Sequence, residues 1–394
     1  MFMRFVKRFR VLLLLLLPCV FWITAQPQVK PPTGETYSPG TASCRKCHDK
    51  IVDSFTETAH FRTSSLADAH TIKGSFSEGK NVLRTRSEAT YFKMERRLSE
   101  GEDAFYQTAY QYTESGMKSR TERIALVIGS GRKGQSYLYW KNGLLFQLPV
   151  SFLVEREGWA NSPGYADGDV NFDRLIPPRC LECHATSFKI EGALPAIRYS
   201  RDYELGISCQ KCHGDGSRHV EYHAGHPGET EGKYILNPAR FSRERKLDNC
   251  ALCHSGMREL KRPSFSYKPG ERLEEFLMPA TTATNPTPDV HGNQVGLLEL
   301  SKCFRSSPEM SCSTCHNVHQ QEGDLHELAR RCLQCHQVNQ CKMPRKSGVH
   351  LNEQCVDCHM PNQKSKVIRI DTTTTKYPVL YRNHHIAVYP GSPD

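Results

Sequence analysis

One five-residue pattern occurs seven times in this chain: two cysteines three positions apart, with a histidine directly after the second. The copies are "CRKCH" (Cys44, Cys47, His48), "CLECH" (Cys180, Cys183, His184), "CQKCH" (Cys209, Cys212, His213) and "CALCH" (Cys250, Cys253, His254). They continue with "CSTCH" (Cys312, Cys315, His316), "CLQCH" (Cys332, Cys335, His336) and "CVDCH" (Cys355, Cys358, His359). Of the 17 cysteines only Cys19, Cys303 and Cys341 fall outside it. Thiols at this spacing share one face of a helical turn. Each can form a thioether to one vinyl group of the same porphyrin, while the adjacent imidazole reaches the iron from the proximal side, which is the covalent haem c attachment pattern. Zinc knuckles or disulfides also use paired cysteines, but neither demands a histidine after every pair. With 18 histidines available, seven such coincidences by chance are on the order of one in a billion. The expected cofactor complement is seven covalently bound haem c.

The bulk composition agrees with this. Apolar residues make up 38% of the 394 and the mean hydropathy is -0.57, lean values for a chain of this length unless flat apolar macrocycles fill part of the core. The formal charge is +10. Removal of a basic leader would leave about +6, which seven haems at about -1 each, two propionates against one ferric centre, would roughly cancel. No basic patch interleaved with aromatic residues is present, so the charge gives no argument for nucleic acid.

The elements that must position these groups are unevenly spread. Residues 1–25 read as an export signal: Arg4, Lys7, Arg8 and Arg10 precede a short apolar run at 11–23, and Ala25 offers a cleavage position. Lipidation at Cys19 is disfavoured by Pro18, and an uncleaved anchor is the alternative. The expected location is periplasmic or otherwise exported, with no membrane span in the mature chain. An N-terminal haem segment is expected at 26–78, where Ile51, Phe55 and Ala59 have helical spacing and His60 would end the helix leaving the first motif. A β-rich insert is expected at 79–176, its small antiparallel region near 79–155. There "YWKNGLLF" puts Asn142-Gly143 between apolar runs, a hairpin signal. "GSGRKG" (Gly129 to Gly134) matches a dinucleotide-binding fingerprint, but "QSYLYWKNG" continues in strand chemistry, so a glycine-rich turn is expected instead. A six-haem domain with a C-terminal tail fills 177–394. Its short helices include "DLHELARRCLQCH", with Leu325, Leu328 and Cys332 on one face, and "NPTPD" (285–289) and "DTTTT" (371–375) read as loops. The fold class expected is therefore a multihaem cytochrome c: mostly short α-helices and irregular loops around packed haems, plus that small β region.

Several phrases carry a resemblance beyond the motifs: "CRKCHDKIVDSFTETAH", "FDRLIPPRCLECHAT", "CHGDGSRHV", "MSCSTCHNVH", "CVDCHMP" and the closing "NHHI". Together they resemble multihaem cytochromes of the cytochrome c-552/4 type, related in haem arrangement to cytochrome c nitrite reductase and hydroxylamine oxidoreductase. The resemblance covers nearly the whole mature chain. It implies an exported protein passing electrons between closely packed, mostly bis-histidine haems, with other redox proteins or a quinol-linked donor as partners.

The sixth iron position decides reactivity: a second histidine makes a low-potential carrier, and an open position can bind and transform a substrate. Of the eleven histidines outside the motifs, the family-like phrases pick out six distal candidates: His60, His219, His291, His319, His350 and His384. His70, His223, His226, His326 and His385 are spares, one of which could complete the set. Met360 cannot reach the iron of its neighbour His359 and is expected to pack. Six candidates for seven haems leave open an alternative function, an oxidoreductase acting on a small nitrogen or sulfur species at one five-coordinate haem, like hydroxylamine oxidoreductase. Nitrite reductases of this group bind their catalytic haem through C-x-x-C-K. That motif is missing here, since Lys342 follows Cys341 at the wrong spacing. Cys303 and Cys341 could pair as a disulfide in an oxidising compartment.

Overall fold

A computed structural model describes residues 39–192, 197–279, 292–341, 353–371 and 376–389. The expected export signal, the loop at 285–289, most of the loop at 371–375, and the candidate ligands His291 and His350 lie outside the described residues.

The strands after the first motif form two antiparallel sheets. One is built from β1 (Ser64–Leu66), β6 (Leu126–Ile128), β7 (Gly134–Lys141), β8 (Leu144–Gln147) and β11 (Arg174–Leu175), in that order. β9 (Val150–Leu153) branches from β7 and pairs with β10 (Gly158–Asn161). The other sheet has the order β2 (Val82–Arg84), β3 (Thr90–Ser99), β4 (Glu102–Thr113), β5 (Gly116–Arg123). Sequence alternation dictates the faces. On β3, Phe92 and Met94 are fully buried while Tyr91 and Lys93 are only partly so, the period of two a strand requires. The hairpin joining β3 to β4 turns at Glu100 and Gly101, both at positive φ, with Ser99 opposite Glu102. Phe92, Met94 and Phe105 meet Tyr137, Leu148 and Phe172 in the largest apolar cluster. Across that core, the buried Gln107 amide donates to the Val150 carbonyl at 2.7 Å and accepts from its N–H at 3.2 Å, tying the sheets together.

The expected hairpin at Asn142-Gly143 is present as β7–β8. Both residues lie at positive φ, 52° and 73°, as a two-residue turn of this kind requires. "GSGRKG" is a turn between β6 and β7, with Gly129 at φ 111° and Gly131 at φ 79°. No helix follows it.

The strand content is substantial, which corrects the expectation of a small β region near 79–155. β1 precedes that span. β12 (Ala185–Glu191) and β13 (Arg198–Leu205) form a hairpin straight after the second motif, and β14 (Asn362–Asp371) pairs with β15 (Lys376–Arg382) near the C-terminal end. Register shifts between Ala185 and Ser187 and between Phe188 and Ile190 break the alternation of β12, so its sequence carries no clean period. β1 and β11 are too short to show one.

The helices are mostly short: α1 (Pro39–Thr56), α2 (Pro178–His184), α3 (Cys209–His213), α4 (Ser217–Gly225), α5 (Arg243–His254), α6 (Gln294–Glu299), α7 (Lys302–Ser306), α8 (Cys312–Cys315), α9 (Leu325–Cys332) and α10 (Cys355–His359). α1 kinks at His48 (φ -119°, ψ 40°) and stops at Thr56, four residues before His60, so His60 does not end the helix as expected. The Thr56 and Thr58 hydroxyls donate to the carbonyls of Asp53 and Phe55 there, competing with helix continuation. The helix buries Val52 and Phe55, whereas Ile51 is 48% exposed.

From Ser208 to Cys250 no hydrophobic side chain is buried, and between Phe304 and Val356 Ala329 alone is, among the described residues. Among the described residues these two stretches have no side-chain core of their own, and the segment between them packs Leu252, Leu273, Leu277 and Val295 together. Among the described residues no helix is long and apolar enough to cross a membrane.

Candidate functional site

Each motif sits on or at the end of a short helix. Cys44–His48 lies in α1, Cys180–His184 in α2, Cys209–His213 fills α3, Cys250–His254 ends α5, and Cys355–His359 fills α10. His316 caps α8, and Cys332 ends α9, whose last turn is closed by the His336 N–H donating to the Cys332 carbonyl at 3.0 Å. One helical turn therefore presents both thiols of a motif on one side with the imidazole beside them.

Four of the motif histidines face a second imidazole from far along the chain. The ring centroids are 6.3 Å apart for His48 and His219, 6.0 Å for His60 and His254, 6.0 Å for His213 and His319, and 6.4 Å for His316 and His384. Direct stacking would bring rings closer; His226 lies 4.2 Å from Tyr222. Two imidazoles on opposite sides of one metal, each bonded at about 2 Å and with about 1.2 Å from nitrogen to ring centre, would have centroids roughly 6.4 Å apart. The donor set and spacing thus fit an iron held between two histidines. Three pairs are near parallel, at 13°, 24° and 27°, and His60–His254 is perpendicular at 90°. Among the described residues no group of three or more His, Cys, Asp or Glu could hold a bare metal ion.

Orientation comes from the other ring nitrogen. Nδ1 of His213 lies 2.8 Å from the Leu236 carbonyl, that of His219 2.8 Å from the Lys233 carbonyl, and that of His384 3.1 Å from the Arg382 carbonyl. His359 uses the Ala387 carbonyl at 2.8 Å, His184 the Thr63 hydroxyl at 3.0 Å, His254 the Gln294 amide oxygen at 3.3 Å, and His316 the Glu322 carboxylate at 2.6 Å. A proton held at Nδ1 leaves the Nε2 lone pair free for a metal. The segment 233–236 serves three rings at once, because the Lys233 N–H also points to His223 Nε2 at 3.4 Å. Tyr234, at φ 57°, makes the left-handed bend that aims both carbonyls. Burial pushes His60 and His384 down to about 4 and also lowers His254 and His319. These imidazoles are neutral at neutral pH, as ligands must be.

The motifs also touch one another. The Cys44 thiol lies beside that of Cys209, Cys183 beside Cys253, and Cys250 beside Cys312. Cys332 lies within electrostatic reach of Cys315 and Cys355.

Of the six distal candidates, His60, His219, His319 and His384 each face a motif histidine. The spares have other partners: His223 packs beside His219 with ring centres 4.5 Å apart, His326 lies 3.5 Å from Glu353, and His385 meets the Tyr389 ring edge-on. His70 is exposed. Cys303 and Cys341, which could have paired, are both free thiols. Cys303 neighbours Cys315 and Cys332, whereas Cys341 neighbours Cys355 and Cys358. Sequence reading missed the Nδ1 partners. Most are backbone carbonyls, which no residue type signals. Glu322 was legible in principle, as a carboxylate six residues after a motif histidine.

Comparison with known proteins gives a consistent class. Residues 157–214, which include the second and third motifs, match the family model "Cytochrome c554 and c-prime". No curated protein matches. The crystal structure of the outer cell wall cytochrome OcwA superposes over 89% of this chain and 80% of that one, with a TM-score of 0.54 at 14% identity. An undecahaem cytochrome from the S-layer of Carboxydothermus ferrireducens matches over 90% of this chain with a TM-score of 0.40 at 17% identity. This chain spans 58% of its length. The chain is thus similar in fold to the cytochrome OcwA.

Proposed function

We propose that this protein is an exported heptahaem c-type cytochrome of the cytochrome c-552/4 kind, carrying electrons through closely packed, mostly bis-histidine haems. The observation that carries the reading is the set of four imidazole pairs at 6.0–6.4 Å, each joining one motif histidine to a distant histidine. The haem groups would be held through the fourteen motif cysteines and seven motif histidines, and when bound supply one-electron transfer at low potential. The protein's part is to fix the imidazole planes through Nδ1, to keep those rings neutral, and to bring successive motifs into contact. His219, His60 and His319 each follow one motif and serve another. They link the third motif to the first, the first to the fourth and the fifth to the third. The thiol contacts add second to fourth and fourth to fifth, and the sixth and seventh follow through Cys332. The likeness in fold to an outer cell wall cytochrome supports an exported setting, with other redox proteins or a quinol-linked donor as electron partners.

The test is a haem count on the purified holo-protein, with its spin state. The expected result is seven covalent haems per chain, at least four of them low-spin. A colourless protein would sink the haem reading. A coloured one with mostly high-spin ferric iron would sink the histidine pairs.

A further inference from the structure

The Nδ1 partners of the site histidines are neutral oxygens in six of the seven cases described, the exception being His316. Its Nδ1 lies 2.6 Å from Glu322 Oε2, and the other carboxylate oxygen accepts the backbone N–H of Asn317. The carboxylate is thereby fixed at both oxygens, and its side chain is 24% exposed. It stands on the loop between α8 and α9, beside the pair His316–His384.

We infer that Glu322 is a positioning residue that sets the reduction potential of the fifth haem below the value a neutral acceptor would give. The inference rests on the haem reading above. An anionic acceptor draws the Nδ1 proton toward itself and makes the imidazole a stronger donor at its other nitrogen, which stabilises the ferric over the ferrous state. Position gives this a consequence. The fifth motif touches the fourth through Cys250 and Cys312, reaches the third through His319, and neighbours the sixth through Cys332. A depressed potential there puts an uphill step between the first four haems and the last two, so electrons dwell on either side and cross the fifth haem transiently.

The experiment compares holo-proteins by spectroelectrochemical redox titration. Glu322→Gln keeps an acceptor and removes the charge. One of the seven potentials should rise, shifting the oxidised-to-reduced ratio of that haem about tenfold, or about 59 mV for one electron, with haem count and low-spin spectrum unchanged. The reciprocal change, Gln294→Glu, puts an anionic acceptor on His254, now 3.3 Å from a neutral one, and should lower one potential. Glu114→Gln, an exposed carboxylate in the turn between β4 and β5 on a sheet that carries no motif, removes the same net charge far along the chain from the motif histidines and should leave the curve in place. A seven-haem, low-spin Glu322→Gln protein whose curve superposes on the unsubstituted one overturns the inference, as does an equal shift from Glu114→Gln. Should Glu322→Gln fail to mature, an unmoved Gln294→Glu curve overturns it instead. An unsubstituted protein without seven haems defeats the haem reading rather than this one.

Discussion

Removing one partner of the ion pair Arg179–Glu182 should destabilise the fold strongly, and removing both together should do so less. The two side chains are 7% and 3% exposed and meet at 2.7 Å, one turn apart on α2. Arg179 also donates to the Leu252 carbonyl at 2.6 Å, and Glu182 accepts the Phe265 N–H at 2.6 Å. The pair thus pins the helix of the second motif to α5, which carries the fourth. Each charge taken alone into such a site loses several kcal/mol of hydration, recovered only through its partner. Glu182→Ala or Arg179→Met leaves the other charge buried and uncompensated, a loss of about 3–5 kcal/mol. Arg179→Met with Glu182→Leu replaces the pair by apolar groups of similar volume and should recover much of the loss, the remainder being the cost of the Leu252 carbonyl and Phe265 N–H left without these partners. The assay is urea unfolding of the four holo-proteins, followed by haem absorbance and far-ultraviolet circular dichroism, with linear extrapolation to water. Single variants that each cost under about 1 kcal/mol, or a double variant as costly as the singles added together, would refute the argument that the two charges depend on each other.

Three further outcomes are expected. His219→Ala and His384→Ala should each convert one haem in seven from low-spin to high-spin and create one new cyanide site; an unchanged spectrum would break the assigned pair. Acidification should release these ligands in a defined window. The folded-state values of His60 and His384, about 4, lie below the ordinary imidazole value of about 6.5, so the unfolded chain binds protons first. Stability is then flat above about pH 6.5 and falls between about 6.5 and 4, by roughly 2–3 kcal/mol for the partly buried His384. A low-spin fraction and melting temperature that stay constant down to pH 4 would contradict this. Gly206→Ala should lower the yield of folded protein, because Gly206 has φ 68° and a Cβ there would strike the Phe61 carbonyl oxygen. The next N–H, of Ile207, donates to the carbonyl of His60. Normal expression with an unshifted melting temperature would count against the close approach.

How much was readable in advance follows from what fixes each residue. Covalent attachment demands two thiols and an imidazole at one spacing, so the seven motifs stand out in sequence whatever the fold around them. The Asn142-Gly143 turn was equally legible, since few residue pairs tolerate two positive φ angles. Four of the distal candidates face a motif histidine, but which motif each would face was not readable, because the pairing of His60 with His254 depends on packing nearly two hundred residues away. The end of α1 was misplaced because Thr56 and Thr58 offer the backbone a local alternative to helix. The extra strands were missed where a shifted register, as in β12, erases the period of two. Whether Cys303 meets Cys341 is decided in the same way as whether His60 meets His254: by tertiary placement, not spacing.

The four imidazole pairs have a topological consequence. The chain segments they close, from His48 to His219, His60 to His254, His213 to His319 and His316 to His384, overlap in sequence, each span crossing the next. If each motif carries a haem, as proposed, attaching the porphyrin to its own motif would be a local event that can occur as soon as that stretch is extended. Acquiring the second axial nitrogen is a long-range event, since each closure must wait for chain made much later and carries the entropy of a long loop. No N-terminal piece of the molecule closes by itself, because the overlaps run from His48 to His384 without a break. On the proposed heptahaem reading, a maturing protein would therefore pass through a stage that is coloured but only partly ligated. The last strand pair and the tail that bears His384 act as its clasp.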